Sequence, residues 1–259
     1  MTLFHRELGG NGLPPVVILH GLLGSSRNWQ TAGRDMSSRA HVFALDTRNH
    51  GQSPHEDAMD YEVMVADTIA WMDTQGLDKV NLLGHSMGGK TAMMLACRHP
   101  ERVERLILVD IVPKDYHWNS RPDEFEAMAA LDLNTLQSRA DAETHLESAV
   151  SSWAMRKFFV TNLERKPEGG WRWMINLPAL SKAIHVLEKN HLNASDQFDG
   201  PTQFIIGGKS DYVSAADHQL VRPHFPQAEI VVIAESGHNP HMEARDTFVN
   251  LIKLSDATT

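Results

Sequence analysis

A serine between two glycines is the strongest chemical signal in this sequence. Residues 84–88 read Gly-His-Ser-Met-Gly, with an apolar run, 80–83, before them and a helix-like stretch, 89–97, after them. A nucleophilic serine on a tight turn between a strand and a helix needs small neighbours, because its backbone is strained and adjacent chains approach closely. The turn lifts the side-chain hydroxyl out of the sheet. Ser86 is therefore the candidate nucleophile.

Two histidines near the end of the chain are candidates for the base that such a serine requires, because a hydroxyl alone is a poor nucleophile near neutral pH. His238 lies in Ser-Gly-His-Asn-Pro (236–240), after the apolar run 230–233. His241 is its competitor, and its place in a predicted helix favours a surface or packing role. We therefore take His238 as the base.

Two aspartates are candidates for the acid, which must accept a hydrogen bond from the second ring nitrogen of the base. Asp110 ends the apolar run 106–109, and Asp211 follows Gly-Gly-Lys-Ser (207–210). Each has a structural alternative. Asp110 can cap the backbone with its side chain where the chain enters the following segment, and Asp211 can be a turn residue before a helix capped by Ser214. Either loop can reach His238, so the residues alone leave both open.

Acyl transfer also develops negative charge on a carbonyl oxygen, and two backbone N–H groups are needed to hold it. The N–H of Met87, directly after the serine, is one candidate. The other is the N–H of Leu22, which follows His-Gly (20–21) at the end of the apolar run 16–19. Leu22 and Met87 therefore form the predicted oxyanion hole.

Composition excludes several other chemistries. The 259 residues carry 24 Lys and Arg against 33 Asp and Glu, a formal net charge of −9, which disfavours a nucleic-acid binder. The single cysteine, Cys97, excludes a disulfide framework and cysteine-clustered metal sites. The 15 histidines include no His-Glu-x-x-His pattern, and His20 and His85 fit packing and turn-shaping roles. No metal and no organic cofactor is predicted.

Short apolar runs rich in Val and Ile predict the elements that position these groups. They lie at residues 16–19, 41–45, 79–83, 106–109, 203–206 and 230–233. Such runs are typical of strands buried on both faces, and helical spacing separates most of them. The pattern predicts an α/β fold with a mostly parallel central sheet flanked by helices, with residues 2–8 as an antiparallel edge strand.

One gap between the predicted strands, of roughly 90 residues after Asp110, is too long for an ordinary crossover. Helix-like stretches at 122–136, 140–153 and 178–189 predict an inserted helical cap, residues 111–199, between strands six and seven. Residues 1–110 and 200–259 then form one discontinuous core. Four of the six tryptophans fall in the cap: Trp118, Trp153, Trp171 and Trp173. Cap aromatics either pack onto the core or line a substrate pocket, for which the candidates are Trp153, Phe158, Trp171 and, from the core, Tyr212.

Taken together, these motifs resemble the α/β-hydrolase family, and more narrowly the small bacterial carboxylesterases of the YbfF type. The narrower resemblance rests on Asp-Thr-Arg-Asn-His-Gly-Gln-Ser (46–53), Gly-His-Ser-Met-Gly-Gly-Lys (84–90), Val-Asp-Ile-Val-Pro (109–113) with Asp-Tyr-His (115–117), and Gly-Gly-Lys-Ser-Asp-Tyr-Val-Ser (207–214). It spans nearly the whole chain and is weakest in the cap. The stretch 46–53 is read mainly as a structural turn beside the site.

The resemblance implies Ser86 as nucleophile, His238 as base and Asp110, the aspartate after strand six, as acid. In that branch the position of Asp211 is usually not acidic, whereas the wider family places its acid there. This sequence offers both, and we favour Asp110.

The expected activity is hydrolysis of small to medium carboxylic esters by a serine hydrolase through an acyl-enzyme. Thioesterase, carbon–carbon bond hydrolase and perhydrolase activities remain alternatives, as does a ligand-binding regulator that keeps the triad. The start of the chain has no signal-peptide pattern, and no apolar run approaches the roughly 18 residues of a membrane span. We therefore expect a cytoplasmic monomer or homodimer with a small-molecule ester as substrate.

Overall fold

The computed structural model describes residues 1–117 and 121–254, and these residues contain nine strands. They are β1 (His5–Glu7), β2 (Pro15–Leu19), β3 (His41–Leu45), β4 (Val80–His85), β5 (Val103–Val109), β6 (Leu163–Arg165), β7 (Trp171–Trp173), β8 (Thr202–Gly207) and β9 (Ala228–Ile233). Seven of them form one sheet in the order β1-β3-β2-β4-β5-β8-β9, parallel throughout except for β1 against β3. The predicted mostly parallel sheet is confirmed.

Helices connect most of the strands of the large sheet. They are α1 (Gln30–Met36), α2 (Tyr61–Thr74), α3 (Met87–Arg98), α4 (Arg121–Ala129), α5 (Arg139–Leu146), α6 (Trp153–Val160), α7 (Leu177–Leu187), α8 (Pro240–Glu243) and α9 (Arg245–Leu251), with short 3₁₀ helices at Ser26–Trp29, Pro100–Arg102 and Ala215–Leu220. The helix-like stretch predicted after Ser86, residues 89–97, lies within α3. Helical spacing was therefore a good guide inside the core.

The sheet buries side chains on both faces because successive residues of a strand point in opposite directions. In β2, Val17 and Leu19 join one apolar cluster, whereas Val16 and Ile18 join the other. The first cluster is covered by α2, α3 and the cap, and the second by α1 and α9. Strands rich in Val and Ile suit this double burial.

The cap residues of the structure join the first of these clusters. Phe125, Leu146 and Phe159, from three cap helices, belong to the same buried cluster as Leu82 and Leu108 of the sheet. The cap therefore shares its hydrophobic core with the sheet. The bounds of the cap, residues 111–199, and of the core, residues 1–110 and 200–259, stay predictions. Trp118 lies outside the described residues.

The structure differs from the prediction in two details of the insertion. It lies between the fifth and sixth strands of the sheet, β5 and β8, and not between a sixth and a seventh, because in the described residues β1 alone precedes β2. The cap also contains an antiparallel hairpin, β6 and β7, that was not predicted. Each of its strands has three residues, too few to display a period of two.

A buried lysine anchors the last helix of the cap to the core. Helices leave their last carbonyls without partners inside the helix. At the end of α7, the ammonium of Lys90 donates to the carbonyl oxygens of Leu187 at 3.2 Å, Glu188 at 2.9 Å and Lys189. The Tyr61 hydroxyl donates to the Leu187 carbonyl at 2.7 Å. Since Lys90 is in α3, the helix after Ser86 is tied directly to the cap.

Candidate active site

The candidate nucleophile lies in a strained turn between β4 and α3. Ser86 has φ 51° and ψ −117°, a backbone conformation that non-glycine residues rarely adopt. A Cβ on Gly88 would come within 2.3 Å of the Leu19 carbonyl oxygen, and one on Gly84 would come equally close to the Gly88 carbonyl. Only glycine fits at both positions. The spacing of small residues that singled out Ser86 therefore has a steric cause.

The turn after β2 packs against the nucleophile turn. A Cβ on Gly21 would lie 2.9 Å from His85 Nδ1 and 3.2 Å from the Ser86 Cβ. In residues 1–117 and 121–254, the N–H groups of Leu22 and Met87 have no acceptor. Two unpaired N–H donors, one next to the candidate nucleophile and one on the adjoining turn, can together bind an oxyanion.

His238 is oriented by a buried carboxylate. Its Nδ1 lies 2.7 Å from Asp110 Oδ2, and since an ionised carboxylate only accepts, Nδ1 carries the hydrogen. In the neutral ring this leaves Nε2 unprotonated and able to take a proton. The Tyr212 ring stacks on the imidazole, with ring centroids 3.7 Å apart and an interplanar angle of 16°. The ring of His238 is therefore fixed in tautomer and in plane.

Asp110 is itself held by several donors at the carboxyl end of β5. Its Oδ1 accepts from the Gly207 N–H at 2.9 Å, and its Oδ2 also accepts from the Ser210 hydroxyl. The residue is fully buried and has a positive φ of 49°. β5 and β8 are neighbours in the sheet, which brings their carboxyl ends to the same edge. The structure thus pairs His238 with Asp110 through a network from two adjacent strands.

Asp211, the second candidate acid, lies two strands from β4 on the loop after β8 and faces solvent. Its carboxylate makes no hydrogen bond or ion pair within the described ranges. The residue next to it, Ser210, turns its hydroxyl to Asp110 and accepts from the Tyr212 N–H at 3.1 Å. The structure therefore brings Asp110, and not Asp211, to His238.

Four other histidines near the site are buried, and burial is the main cause that lowers the pKa of each: His20, His50, His85 and His241. Their partners are mostly backbone groups. His20 Nδ1 donates to the Gly21 carbonyl at 2.8 Å while its Nε2 accepts from the Thr47 N–H at 3.0 Å, and His85 Nε2 donates to the His238 carbonyl at 2.8 Å. These contacts agree with the turn-shaping roles predicted for His20 and His85.

His241, the competing base, is buried and stacks on Trp29 with ring centroids 3.9 Å apart. Burial, together with nearby His238, lowers its pKa to about 3, and its Nδ1 has no hydrogen-bond partner among the described residues. A histidine in this environment stays neutral and packs against its neighbours. Of the two alternatives weighed for it, packing agrees with the structure and a surface position does not.

The turn 46–53 is a structural element that also contacts the cap. Asp46 accepts from the N–H groups of Ser26 at 2.6 Å and Gln52 at 2.8 Å. The carbonyl of Asn49 accepts from the N–H of Asn176, directly before α7, at 2.9 Å. The predicted structural role therefore agrees with these contacts, which in addition fix the cap where α7 begins.

A cavity of about 320 Å³ joins these groups to the cap. It is lined by His20, Gly21, Leu22, Gly24, Asn28, Trp29, His85, Ser86, Ala154, Met155, Phe158, Tyr212, His238, Asn239, His241, Met242 and Glu243. Ser86 and His238 thus border the same space. Of the four predicted pocket residues, Phe158 and Tyr212 line it. Trp153 is 64% exposed and Trp171 donates its Nε1 to the Leu136 carbonyl at 3.0 Å, and neither reaches the cavity.

Sequence reasoning missed two kinds of contributor. Met155 lines the cavity from the same helix face as Phe158, three residues away, a spacing that the helical period in α6 offered as a signal. Ser210 supports Asp110, and its position after β8 was visible, but not which residue its hydroxyl would meet. Among the residues that the structure describes, no group of three or more His, Cys, Asp or Glu is arranged to hold a metal ion.

Comparison with known proteins agrees with this architecture. A family model described as the alpha/beta hydrolase fold matches residues 14–245, almost the entire sheet and cap. The chain belongs to the α/β hydrolase family. The predicted family is thereby confirmed.

Relatives of this hydrolase cover most of its length. It is 36% identical to the sn-1-specific diacylglycerol lipase ABHD11 of Mus musculus, over 97% of this chain and 84% of the relative. It is 33% identical to esterase YbfF of Escherichia coli, strain K12, over 92% and 91%. A solved structure of a marine microorganism esterase superimposes with a TM-score of 0.92 at 34% identity, covering 96% and 97%. These likenesses support a carboxylic ester hydrolase.

No helix within the described parts of this hydrolase is both long and apolar enough to cross a membrane.

Proposed function

We propose that this protein is a serine carboxylesterase that cleaves small to medium carboxylic esters through an acyl-enzyme. Ser86 is the nucleophile, His238 the base and Asp110 the acid, and the N–H groups of Leu22 and Met87 bind the oxyanion. The observation that carries the proposal is the hydrogen bond of 2.7 Å from His238 Nδ1 to the buried Asp110 carboxylate. It leaves Nε2 free for a proton in the cavity that Ser86 lines.

Acylation follows from this arrangement. As the Ser86 oxygen attacks the carbonyl carbon, its proton passes to His238 Nε2, and the carbonyl π electrons move onto the oxygen, which the two N–H groups stabilise. The imidazolium is stabilised by the Asp110 carboxylate. Collapse of the tetrahedral intermediate breaks the ester C–O bond, and the departing alcohol takes the proton from Nε2.

Deacylation repeats these steps with water. His238 removes a proton from the water as its oxygen attacks the acyl carbon, and the second tetrahedral intermediate expels the Ser86 oxygen. The same imidazolium returns its proton to that oxygen, so the free acid and the starting enzyme are produced. Tyr212 stacks on His238, and Gly207 and Ser210 hold the Asp110 carboxylate that bonds its Nδ1, so the ring keeps one orientation through both half-reactions.

Size and polarity of the cavity support the substrate class. A volume of about 320 Å³ is at the lower end of the range for small-molecule sites. Its cap side consists of Ala154, Met155 and Phe158, all without charge. An apolar acyl or alkyl chain of small to medium length fits against these side chains, while the ester group meets the polar groups of the core.

The test is turnover of a p-nitrophenyl ester by the Ser86→Ala variant. We expect loss of essentially all turnover, on the order of 10⁶-fold in kcat, with an unfolding midpoint close to that of the parent protein. Ser195→Ala, the same exchange at an exposed serine outside the cavity, serves as the matched control and retains turnover. Ester turnover by a folded Ser86→Ala protein would refute the mechanism.

A second candidate function from a different class is a regulator that keeps the triad and binds a ligand. Two separate measurements distinguish the enzyme from the regulator. One is covalent labelling of Ser86 by a fluorophosphonate, and the other is the number of ester molecules that each unlabelled protein molecule hydrolyses. An enzyme gives many turnovers per Ser86, whereas a regulator gives one slow acylation. Thioesterase, carbon–carbon hydrolase and perhydrolase activities use the same groups, and we expect them to be slower than ester hydrolysis. A cytoplasmic location and a monomeric or homodimeric state stay predictions.

A further inference from the structure

A second cavity adjoins the catalytic one, and we call it the side cavity. Its volume is about 490 Å³, and it lies between the loop after β2, the cap helices α5 and α6, and the start of α9. It shares Asn28, His241 and Met242 with the catalytic cavity. Its other lining residues are Ser25, Arg27, Thr31, Arg139, Thr161 and Arg245. Asn28, His241 and Met242 border both spaces, so the two cavities lie next to each other.

The side cavity is lined by three arginines and by no aspartate or glutamate. This is unusual in a chain with a formal net charge of −9. One of the three, Arg245, is compensated, because its Nε lies 2.9 Å from Asp35 Oδ2 and its Nη2 lies 3.3 Å from Asp246 Oδ1. The charge that remains belongs to Arg27 and Arg139.

Arg139 is oriented without being neutralised. Its Nε and Nη2 donate to the carbonyl oxygens of Val160 at 3.1 Å and Leu163 at 2.7 Å, and its guanidinium lies over the Trp171 ring, 5.6 Å from the centroid. These partners are uncharged. Within residues 1–117 and 121–254, Nη1 has no acceptor and no carboxylate pairs with the side chain. The guanidinium is therefore held in place with its positive charge intact.

Arg27 lies across the side cavity, in the 3₁₀ helix Ser26–Trp29 of the core. Its side chain is exposed and makes no hydrogen bond or ion pair within the described ranges. Two carboxylates border the spaces around Arg27. Glu243, of the catalytic cavity, accepts from the N–H groups of Gly237 and Asn239. Asp46, which lines a small pocket together with Arg27, accepts from the N–H groups of Ser26 and Gln52. Neither forms an ion pair with Arg27 within the described ranges.

We propose that the side cavity binds an anionic group, a carboxylate or a phosphate, that the ester substrate carries at a distance from its scissile bond. The proposal rests on the proposed function and adds a substrate class to it: esters with a distal negative charge. Guanidinium groups match the geometry of carboxylate and phosphate oxygens with paired N–H donors. Arg27 and Arg139 offer such donors from opposite elements, one on the core and one on the cap.

The experiment compares two pairs of esters that differ only by a terminal carboxylate. In the first pair, the p-nitrophenyl monoester of adipic acid and p-nitrophenyl hexanoate, the charge is on the acyl chain. In the second, the acetate ester of ω-hydroxyhexanoic acid and hexyl acetate, it is on the alcohol. We expect kcat/KM for the charged member of at least one pair to exceed that of the neutral member about tenfold at low salt. Which pair responds shows on which side of the ester the anion lies.

Arginine variants identify the site. We expect Arg27→Gln and Arg139→Gln each to raise KM for the preferred charged ester about tenfold, with kcat unchanged and neutral esters affected less than twofold. Arg27→Lys keeps the charge and should recover part of the loss. Arg222→Gln is the matched control, because Arg222 is an exposed arginine outside both cavities whose Nη1 donates to the Pro226 carbonyl. Arg27→Gln removes no hydrogen bond or ion pair within the described ranges, so we expect its unfolding midpoint to stay close to that of the parent protein.

The outcomes separate this proposal from the proposed function. Equal kcat/KM within both pairs, or a preference for the charged member that both arginine variants leave intact, overturns the anion site while ester hydrolysis stands. Loss of the preference on raising the ionic strength from about 0.05 M to about 0.5 M supports the site. Failure of the parent protein to turn over any of the four esters contradicts the proposed function itself.

Discussion

The catalytic cavity has two walls of opposite character. The core wall comes from the carboxyl ends of parallel strands and the loops that follow them. It consists of His20, Gly21, Leu22, His85, Ser86 and His238. The ring nitrogens of its histidines are hydrogen-bonded to backbone groups and to the Asp110 carboxylate. The cap wall (Ala154, Met155 and Phe158) comes from a single helix, α6, and has no polar side chain. One wall can carry out chemistry, and the other can only select shape and apolar surface.

The two walls also differ in how firmly they are positioned. Asp110, behind the core wall, is fully buried and receives three hydrogen bonds from two elements. On the cap side, Phe158 is half-buried and Trp153, at the start of the same helix, is 64% exposed. A group with several partners tolerates little change, whereas an apolar side chain with one free face can be exchanged. We therefore expect substitutions behind the core wall to have the larger effects.

Among the substitutions that compare the two walls, the largest expected effect separates the two candidate acids behind the core wall. Asp110→Asn removes the negative charge, and with its amide oxygen kept toward the Gly207 N–H it places an NH2 donor where Oδ2 accepts from His238. The His238 tautomer is then no longer fixed, and we expect kcat to fall about 10⁴-fold. Asp211→Asn, in which an exposed carboxylate without partners is changed, should stay within twofold of the parent protein. Steady-state kinetics with p-nitrophenyl butyrate measures both, with circular dichroism as the check on folding. If only Asp211→Asn loses most of its kcat, the assignment of Asp110 is wrong.

A smaller effect is expected at the cap wall. Phe158→Ala deletes apolar surface next to the substrate chain, so kcat/KM for p-nitrophenyl hexanoate should fall about tenfold while that for the acetate changes little. Trp153→Ala is the matched control from the same helix, and its exposed ring should leave both values within twofold. Chain-length profiles of the two variants give the measurement. Equal losses on acetate and hexanoate would show that the cap wall supports the chemistry and not the chain.

The smallest effect concerns the buried histidines beneath the core wall. The pKa of His241 is lowered to about 3 in the folded protein, against an ordinary value of 6.5. Below pH 6.5 the unfolded chain therefore binds a proton that the folded protein does not. The contribution of His241 to the free energy of unfolding is fully present above pH 6.5 and is lost as the pH drops toward 3. His241→Phe should remove roughly 1 kcal/mol of the difference in unfolding free energy between pH 7.5 and pH 5.5.

Urea unfolding at the two pH values measures this difference. His185→Phe is the control, because the His185 side chain is 82% exposed, and it should keep the full pH dependence of the parent protein. His20, His50 and His85 retain their own contributions of the same sign in both variants. An unchanged pH dependence in His241→Phe would mean that His241 is protonated in the folded state.

Prediction from sequence succeeded where local backbone requirements dominate. The strand, turn and helix around Ser86 follow from glycines that no larger residue can replace, and the Val- and Ile-rich runs follow from burial on both faces of the sheet. It was weaker in the cap, where the hairpin of three-residue strands has no readable period. Phe158 was predicted to line the pocket, while Met155, three residues away, was not, because methionine in a helix signals packing as readily as contact with substrate.

Residue types and their spacing by themselves determined the fold class, the turn that carries Ser86 and the loop that carries His238. Only the tertiary structure decided which aspartate meets His238, because the two candidates follow β5 and β8, strands that are adjacent in the sheet although far apart along the chain. It also decided that Trp153 faces solvent and that Arg27 and Arg139 share a cavity. Local sequence sets backbone conformation over a few residues, whereas contacts between distant side chains depend on how whole elements pack.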